Sequence, residues 1–152
     1  MSVKQAVREQ YQATVNLAQG GNIHIPPEGW IRTVRKALGM SGAQLARRMG
    51  VTRARIAQAE RAELNGGITL KSMQATAEAM GCRFVYAFEP PDDIENVVIA
   101  QARKKARAIL GVAGRHMAME DQTVSDRRTE REVSRLMREL MYEMPLDFWQ
   151  DK

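Results

Sequence analysis

The central stretch of the chain, residues 41–60, reads SGAQLARRMGVTRARIAQAE. It predicts two short helices, over residues 42–49 and 53–63. Ser41 and Thr52 stand directly before them, where a side-chain hydroxyl can accept a hydrogen bond from a first-turn amide. The stretch therefore predicts two capped helices separated by a very short connection.

The connection between these two helices has the residues that a tight turn requires. Gly50 tolerates a positive φ, and Ala46 is small enough to lie where two helices cross closely. Val51 and Ile56 supply apolar anchors that would hold the second helix against the first. This combination of spacings predicts a helix-turn-helix motif.

The second helix carries polar groups on the side that its apolar residues leave free. In a helix-turn-helix the N-terminal half of the second helix enters the major groove, where Arg bonds guanine and Gln bonds adenine. The predicted base-reading residues are Arg53, Ala54, Arg55 and Gln58. The predicted phosphate-contacting residues are Ser41, Gln44, Thr52, Arg61 and Lys71.

The fold class predicted for the chain is mainly α. Helical periodicity or capping signals predict five further helices, over residues 3–18, 30–38, 70–80, 94–110 and 125–144. We therefore expect a repressor-like helix-turn-helix domain of four to five helices, followed by one short strand and two C-terminal helices.

The short strand is predicted over residues 82–88, where Cys82, Phe84, Tyr86 and Phe88 alternate with other residues. A strand needs a hydrogen-bonding partner, and no second strand of equal quality occurs in the chain. Pairing with the same strand of a second subunit satisfies this need, and pairing with residues 22–26 is the alternative. The predicted dimer strand comprises Arg83, Phe84, Val85, Tyr86, Ala87 and Phe88.

The distribution of charge and the positions of glycine and proline together predict the domain organisation. Residues 30–90 contain ten Lys or Arg against four Glu, whereas residues 91–152 contain eleven basic against twelve acidic residues. The positive charge that attracts a phosphate backbone is thus concentrated in the middle of the chain. The predicted segments are an N-terminal helix and connector (1–29), the DNA-binding domain (30–81), the strand (82–90) and a C-terminal helical region (91–152).

Two features of the C-terminal region allow alternative interpretations. The basic run at residues 103–107 is either a solvated helix face, which we favour, or a contact with flanking DNA. The methionine-rich stripe at residues 137–144 is either internal packing, which we favour, or an adaptable surface for a protein partner.

The residue inventory argues against an enzyme. His24 and His116 have no ligand-like neighbours, Cys82 is the single cysteine, and Gly66-Gly67 lacks the Lys-Ser/Thr of a phosphate-binding loop. We expect no catalytic residue, no cofactor and no metal. No apolar run approaches the length of a membrane span, so we expect a cytoplasmic protein with no membrane partner.

Residues 30–80 resemble the Xre, or phage-repressor, class of helix-turn-helix domains. The resemblance implies a structural ion pair between Arg35 on the first helix and Glu60 near the end of the recognition helix. The chain departs from the family at Gly42, where Gln is frequent, and over residues 61–67, which replace a tight turn with a longer helix or loop.

A finer resemblance covers most of the chain. Residues 29–41 (GWIRTVRKALGMS), 67–71 (GITLK), 81–86 (GCRFVY) and 116–122 (HMAMEDQ) are similar to the family called mobile mystery protein A. Members of that family are encoded beside a Fic-domain protein, which implies an antitoxin-like regulator with a Fic partner. The inhibitory helix motif of some Fic antitoxins is not matched, because Ser134 and Glu139 miss its spacing by one residue.

These observations predict a sequence-specific DNA-binding transcriptional regulator. It would bind a palindromic operator as a homodimer and repress its own synthesis as the antitoxin-like partner of a Fic-domain protein. The alternative is a protein-binding antitoxin that mainly sequesters a Fic enzyme, with DNA binding secondary.

Overall fold

The computed structural model of the protein describes residues 2–111 and 122–151, and helices are the regular elements of this part of the chain. In chain order they are α1 (Val3–Asn16), α2 (Trp30–Ala37), α3 (Gly42–Met49), α4 (Arg53–Asn65), α5 (Leu70–Ala79), α6 (Ile94–Ile109) and α7 (Gln122–Glu143). The mainly helical prediction is confirmed. The chain divides into two compact units, one of Gly21–Ala87 and one of Met1–Gly20 with Phe88–Lys152.

The unit of Gly21–Ala87 contains α2 to α5 around a single core. Ile31, Leu45 and Ile56 come from three different helices, and each is at most 3% exposed. The core also includes Ala46, Met73 and Met80, with Val34, Met40, Met49, Ala59, Ile68, Ala79 and Phe84 packed around it.

The helix ends in this unit follow local sequence signals. The predicted caps Ser41 and Thr52 are confirmed, and Thr69 caps α5 in the same way, because each of the three side chains accepts a hydrogen bond from the backbone N–H three residues on. Gly50 ends α3 in the left-handed conformation, with φ 67° and ψ 32°. Its backbone N–H donates to the carbonyls of Ala46 and Arg47 in the last turn of α3. Adding a Cβ there would strain the connection, so glycine is required for the turn into α4.

Two predicted details of the motif differ in the structure. Val51, expected to be an anchor, is 37% exposed, and the anchoring is done by Ile56. Helix α4 is also two residues longer than predicted and ends at Asn65, with Gly66 as its left-handed cap. The longer helix accounts for part of the segment 61–67 in which the chain departs from its family.

The predicted strand over residues 82–88 is wrong for the single chain. No described residue belongs to a strand, and the backbone N–H groups of residues 83–88 donate no hydrogen bond within the described chain. The alternative pairing with residues 22–26 does not form either. The alternation of apolar residues is real, but a strand exists only where a second backbone completes its hydrogen bonds.

The other unit is built on α6 and α7. Arg107 near the end of α6 pairs with Glu130 in the first half of α7. Ala102 and Ala106 are fully buried and allow close approach of the helices, and Val133 and Phe148 are 1% exposed. The methionine stripe packs on this core through Met137, Met141 and Met144, which favours the packing interpretation.

Helix α1 of the same unit turns its polar face towards the protein. Arg8 donates from both terminal nitrogens to the Met141 carbonyl, and the Asn16 side chain accepts from the Ile94 N–H at the start of α6. Val3, Val7 and Tyr11 lie on the solvent side of the helix, where Val3 is 82% and Tyr11 is 70% exposed, whereas Val15 is half-buried. Helix α1 is thus fastened by hydrogen bonds to helix ends and leaves an apolar stripe uncovered.

The described residues include no helix that is both long and apolar enough to cross a membrane.

Candidate nucleic-acid interface

The predicted base-reading residues lie together on one exposed edge of α4. Arg53, Ala54, Arg55 and Gln58 are all exposed, while Ile56 between them is 3% exposed and fixes the opposite side of the helix in the core. These four positions fall within the first two turns of α4. The edge is thus available to a ligand, and its helix cannot roll without exposing Ile56.

The predicted phosphate contacts lie on three helices of the same unit. Ser41 and Gln44 are at the N-terminus of α3, Thr52 caps α4, Arg61 lies further along α4, and Lys71 is in the first turn of α5. All five side chains are exposed. A phosphate contact at each would surround the reading edge with positioning contacts.

The capping groups of α3 and α4 keep free donors after making their caps. Ser41 Oγ accepts from the Gln44 N–H at 3.1 Å, and Gln44 Oε1 accepts from the Ser41 N–H at 2.7 Å, which forms a reciprocal capping box. Thr52 Oγ1 accepts from the Arg55 N–H at 3.2 Å. These caps use acceptor oxygens, so the two hydroxyl protons and the Gln44 side-chain NH2 stay available to phosphate oxygens, which only accept.

An ion pair ties the reading helix to α2. Arg35 Nε donates to Glu60 Oε1 at 2.8 Å, and both side chains are about 15% exposed. The same guanidinium donates from Nη1 to the Met40 carbonyl at 3.0 Å. The resemblance had implied this pair, and the structure brings the two side chains together. Because both side chains are mostly buried, removal of either one would leave the charge of the other uncompensated and would destabilise the domain.

A second tie between α4 and α2 uses Glu63, a residue that our sequence analysis did not single out. Its carboxylate accepts from the Trp30 N–H at 2.6 Å and from the Ile31 N–H at 3.1 Å. These are orphan first-turn amides of α2, whose own N-cap residue is Gly29 and provides no side chain. Glu63 therefore caps α2 from 33 residues away and is favoured there by the helix dipole.

Gly29 makes this remote cap possible. Its backbone has φ 84° and ψ 160°, a region that essentially only glycine occupies. A Cβ on Gly29 would lie 2.7 Å from Glu63 Oε2 and 3.0 Å from Glu63 Cδ. The sequence signal for the cap was the Gly29-Trp30 start of α2, where no Ser, Thr, Asp or Asn precedes the helix.

Helix α3 is tied to α5 in a similar way. Arg48 Nε donates to the Ala79 carbonyl at 2.7 Å, at the C-terminal end of α5 where carbonyls lack partners within the helix. Arg48 is thus engaged in holding the fold, whereas Arg53 and Arg55 on the reading edge have no ion pair within the part of the chain that the structure describes.

The predicted dimer segment is only partly packed. Phe84 is half-buried against the core and stacks on Tyr86 at 5.9 Å between ring centroids. Val85 is 63% and Phe88 89% exposed, and Arg83 and Ala87 are also exposed. An apolar groove of about 380 Å³ runs beside this segment and is lined by Trp30, Val34 and Met80 among others.

Across residues 2–111 and 122–151, no group of three or more His, Cys, Asp or Glu side chains is arranged to hold a metal ion. Residues 116–121 of the stretch similar to mobile mystery protein A lie outside the described residues.

Comparison with known proteins bears on the middle of the chain. Residues 31–86 match the family model described as Helix-turn-helix, a span that contains α3 to α5, the reading edge and all of α2 except Trp30. No match was found among curated proteins or among solved structures. Residues 31–86 therefore form a helix-turn-helix domain of the Xre type.

Proposed function

We propose that the protein is a non-enzymatic transcriptional regulator that recognises a specific DNA sequence through the first two turns of α4. The observation that carries this proposal is the exposed edge of Arg53, Ala54, Arg55 and Gln58 on a helix of a helix-turn-helix domain. The recognition helix of such a domain presents its N-terminal residues to base edges in the major groove.

Each residue of the edge has a distinct role in this proposal. The guanidinium groups of Arg53 and Arg55 suit the two acceptors of guanine, and the Gln58 amide suits adenine. Ala54 has a single methyl group, which lets the helix approach closely and can contact a thymine methyl. Each bidentate pair contributes about 1–3 kcal/mol of discrimination against the wrong base.

The two ties between α4 and α2 support the same proposal. Direct readout requires donors to be positioned before DNA arrives, because ordering them during binding consumes binding free energy. The Arg35–Glu60 pair and the Glu63 cap hold the middle and the C-terminal half of α4, away from its reading edge. Together they hold the helix in place while leaving the N-terminal half free for DNA.

The operator is expected in the DNA upstream of the protein's own gene, since we propose that the regulator represses its own synthesis. A gel-shift scan of that region at two salt concentrations should find one fragment retained at the higher salt. The total affinity should fall steeply with salt because phosphate contacts release counterions. Equal retention of all fragments at both concentrations would show that binding is non-specific and contradict the proposal.

We further propose that the regulator binds a palindromic operator as a homodimer. The support is the segment 83–88, whose backbone donors are unpaired in the described chain and whose Val85, Tyr86 and Phe88 are exposed. Pairing with the same segment of a second copy about a two-fold axis would satisfy both features. Light scattering over a range of concentrations should give the mass of a dimer, and a monomer mass at all concentrations would contradict this expectation.

The second candidate function is binding of a protein partner, namely a Fic-domain protein that the regulator would neutralise. Its basis is the resemblance to mobile mystery protein A, and the uncovered stripe of Val3, Val7 and Tyr11 on α1 favours a protein contact. Apolar stripes of this kind are typical of surfaces that another protein covers. In the alternative form of this proposal, sequestration of the Fic enzyme is the main activity and DNA binding is secondary.

A further inference from the structure

The outward face of α7 carries a line of arginines. Arg127, Arg131 and Arg138 follow one another at intervals of four and seven residues, which places them on one side of a helix. All three are exposed, and they lie opposite the buried Val133 and Leu140. We call Arg127, Arg131 and Arg138 the α7 arginine stripe.

Several other cations of this unit are paired with nearby carboxylates. Lys104 is 2.8 Å from Asp151, and Arg107 is 2.9 Å from Glu130. Arg135 on α7 has carboxylate oxygens on two sides, at 2.9 Å from Glu132 and 3.2 Å from Glu139. The hydrogen bond from Lys104 lowers the pKa of Asp151, and the hydrogen bond with Glu132 raises the pKa of Arg135.

The α7 arginine stripe lacks such partners. Within the described part of the chain, no carboxylate oxygen lies within 4.0 Å of the Arg127, Arg131 or Arg138 side chains. The contrast is notable because residues 91–152 as a whole contain one more acidic than basic residue. Five of the acidic side chains in this region (Asp147, Asp151, Glu130, Glu132 and Glu139) are paired with α6 cations or Arg135, and the stripe is a local excess of positive charge.

Helix stability does not account for the stripe. The helix dipole acts within the first and last turns, and Arg127, Arg131 and Arg138 all lie outside those turns of α7, so the dipole does not favour them. Charged side chains on an exposed helix surface keep the protein soluble, and they do so equally well when they are paired with carboxylates, as Arg135 is. Solubility therefore does not require the arginines of the stripe to be unpaired. Arginine is also the residue whose planar fork matches phosphate oxygens and whose charge is weakly hydrated.

We propose that the α7 arginine stripe binds the phosphate backbone of DNA, outside the bases that α4 reads. From Arg127 to Arg138 the helix advances by about 16 Å, which corresponds to the rise of roughly five base pairs. The exposed Tyr142 lies one turn beyond Arg138 and adds a hydroxyl donor to the same line. This inference rests on the proposed function in taking duplex DNA as the ligand, and it assigns the C-terminal unit a sequence-independent share of the affinity.

The test compares two triple variants with the same loss of charge. One is R127Q/R131Q/R138Q, which removes the stripe. The other is K104Q/R107Q/R135Q, which removes three partly or fully exposed cations that already have carboxylate partners. Affinity for a long duplex containing the operator is measured over a range of salt concentrations, and thermal unfolding of both variants is recorded.

The stripe variant is expected to bind at least about tenfold more weakly, with a salt slope smaller by up to about 2.7, because each phosphate contact contributes about 0.9. The control variant should keep the slope of the natural protein. Arg131→Gln alone leaves two of the three cations in place and should lower the slope by about 0.9. This single variant replaces the triple variant in the test if the triple variant unfolds.

Two results would overturn the inference: an unchanged salt slope in the stripe variant, or an equal decrease of the slope in the control variant. An unchanged slope together with lost binding to a Fic-domain protein would assign the stripe to an acidic protein surface instead. Failure of the proposed function would give a different result. In that case the natural protein would bind all duplexes equally, while the stripe variant would still show the reduced salt slope.

Discussion

Replacing Arg53 and Arg55 together with alanine is expected to remove most of the discrimination between the operator and an unrelated duplex. The two guanidinium groups would make two bidentate base contacts, each contributing about 1–3 kcal/mol, so the ratio of affinities should fall by at least about thirtyfold. Both side chains are exposed at the N-terminal end of α4, and they make no ion pair within the described chain. The free energy of unfolding should therefore change little.

The measurement is a competition titration with operator and scrambled duplexes at one salt concentration. The matched control is R32A/K36A, which also removes two exposed cations of the same domain. Arg32 and Lys36 lie on α2, where both contact Glu28, at 3.5 Å and 3.1 Å. The control should lose some total affinity and keep its discrimination. If R53A/R55A discriminates as well as the natural protein does, the assignment of α4 as the reading helix is wrong.

The same variant separates the two candidate functions. A regulator that also neutralises a Fic-domain protein should lose operator binding in R53A/R55A and keep neutralisation, because the α1 stripe belongs to a different unit. If the protein mainly sequesters its partner, cells carrying R53A/R55A should behave like cells carrying the natural protein, even though the variant no longer discriminates between operator and unrelated DNA.

Replacing Gly29 with alanine is expected to destabilise the helix-turn-helix domain by about 2–4 kcal/mol. Forcing alanine into φ 84° and ψ 160° costs about 1–3 kcal/mol. The new Cβ would also push against Glu63 Oε2 at 2.7 Å, and displacement of this carboxylate loses the cap of α2, which contributes about 1 kcal/mol. Chemical denaturation should report the loss as a lower midpoint with an unchanged slope.

Gly42→Ala is the matched control for this substitution. Gly42 is the first residue of α3, and a Cβ there meets no atom within 4 Å. Alanine at this position should leave the stability unchanged or raise it slightly, since it favours the helix. Glu63→Ala provides a second check, because the cost of Gly29→Ala should be smaller in that background. Equal costs in both backgrounds would show that Gly29 and Glu63 do not act together.

The reading edge and its supports differ in how far they could be predicted. Arg53, Ala54, Arg55 and Gln58 follow from the helical period once Ile56 is placed in the core, and the structure finds all four exposed. The role of Glu63 did not follow, because in the sequence it is one more charged residue near the end of a helix. Its partners Trp30 and Ile31 are more than thirty residues away, and only the packing of α4 on α2 reveals them.

Signals within a few residues of each other were sufficient for the helices of this protein. A capping hydroxyl, a glycine with positive φ and a 3.6-residue period each act through neighbours within about four positions, so α3 was predicted to the residue and α4 to within two. Val51 shows the limit of such signals: it has the right type and position for an anchor, yet it is 37% exposed because Ile56 fills the space between the helices.

The segment 82–88 and helix α1 show what depends on contacts between distant parts of the chain. Alternation of apolar residues is a property of the segment, but a strand is a property of two backbones, and the described chain offers no second one. An apolar stripe such as that of α1 usually packs inward, whereas here Arg8 donates to the Met141 carbonyl near the end of α7, Asn16 accepts from the Ile94 N–H at the start of α6, and the polar face lies inward. In both cases the residues define a pattern, and its place in the fold depends on which hydrogen-bonding partners the rest of the molecule supplies.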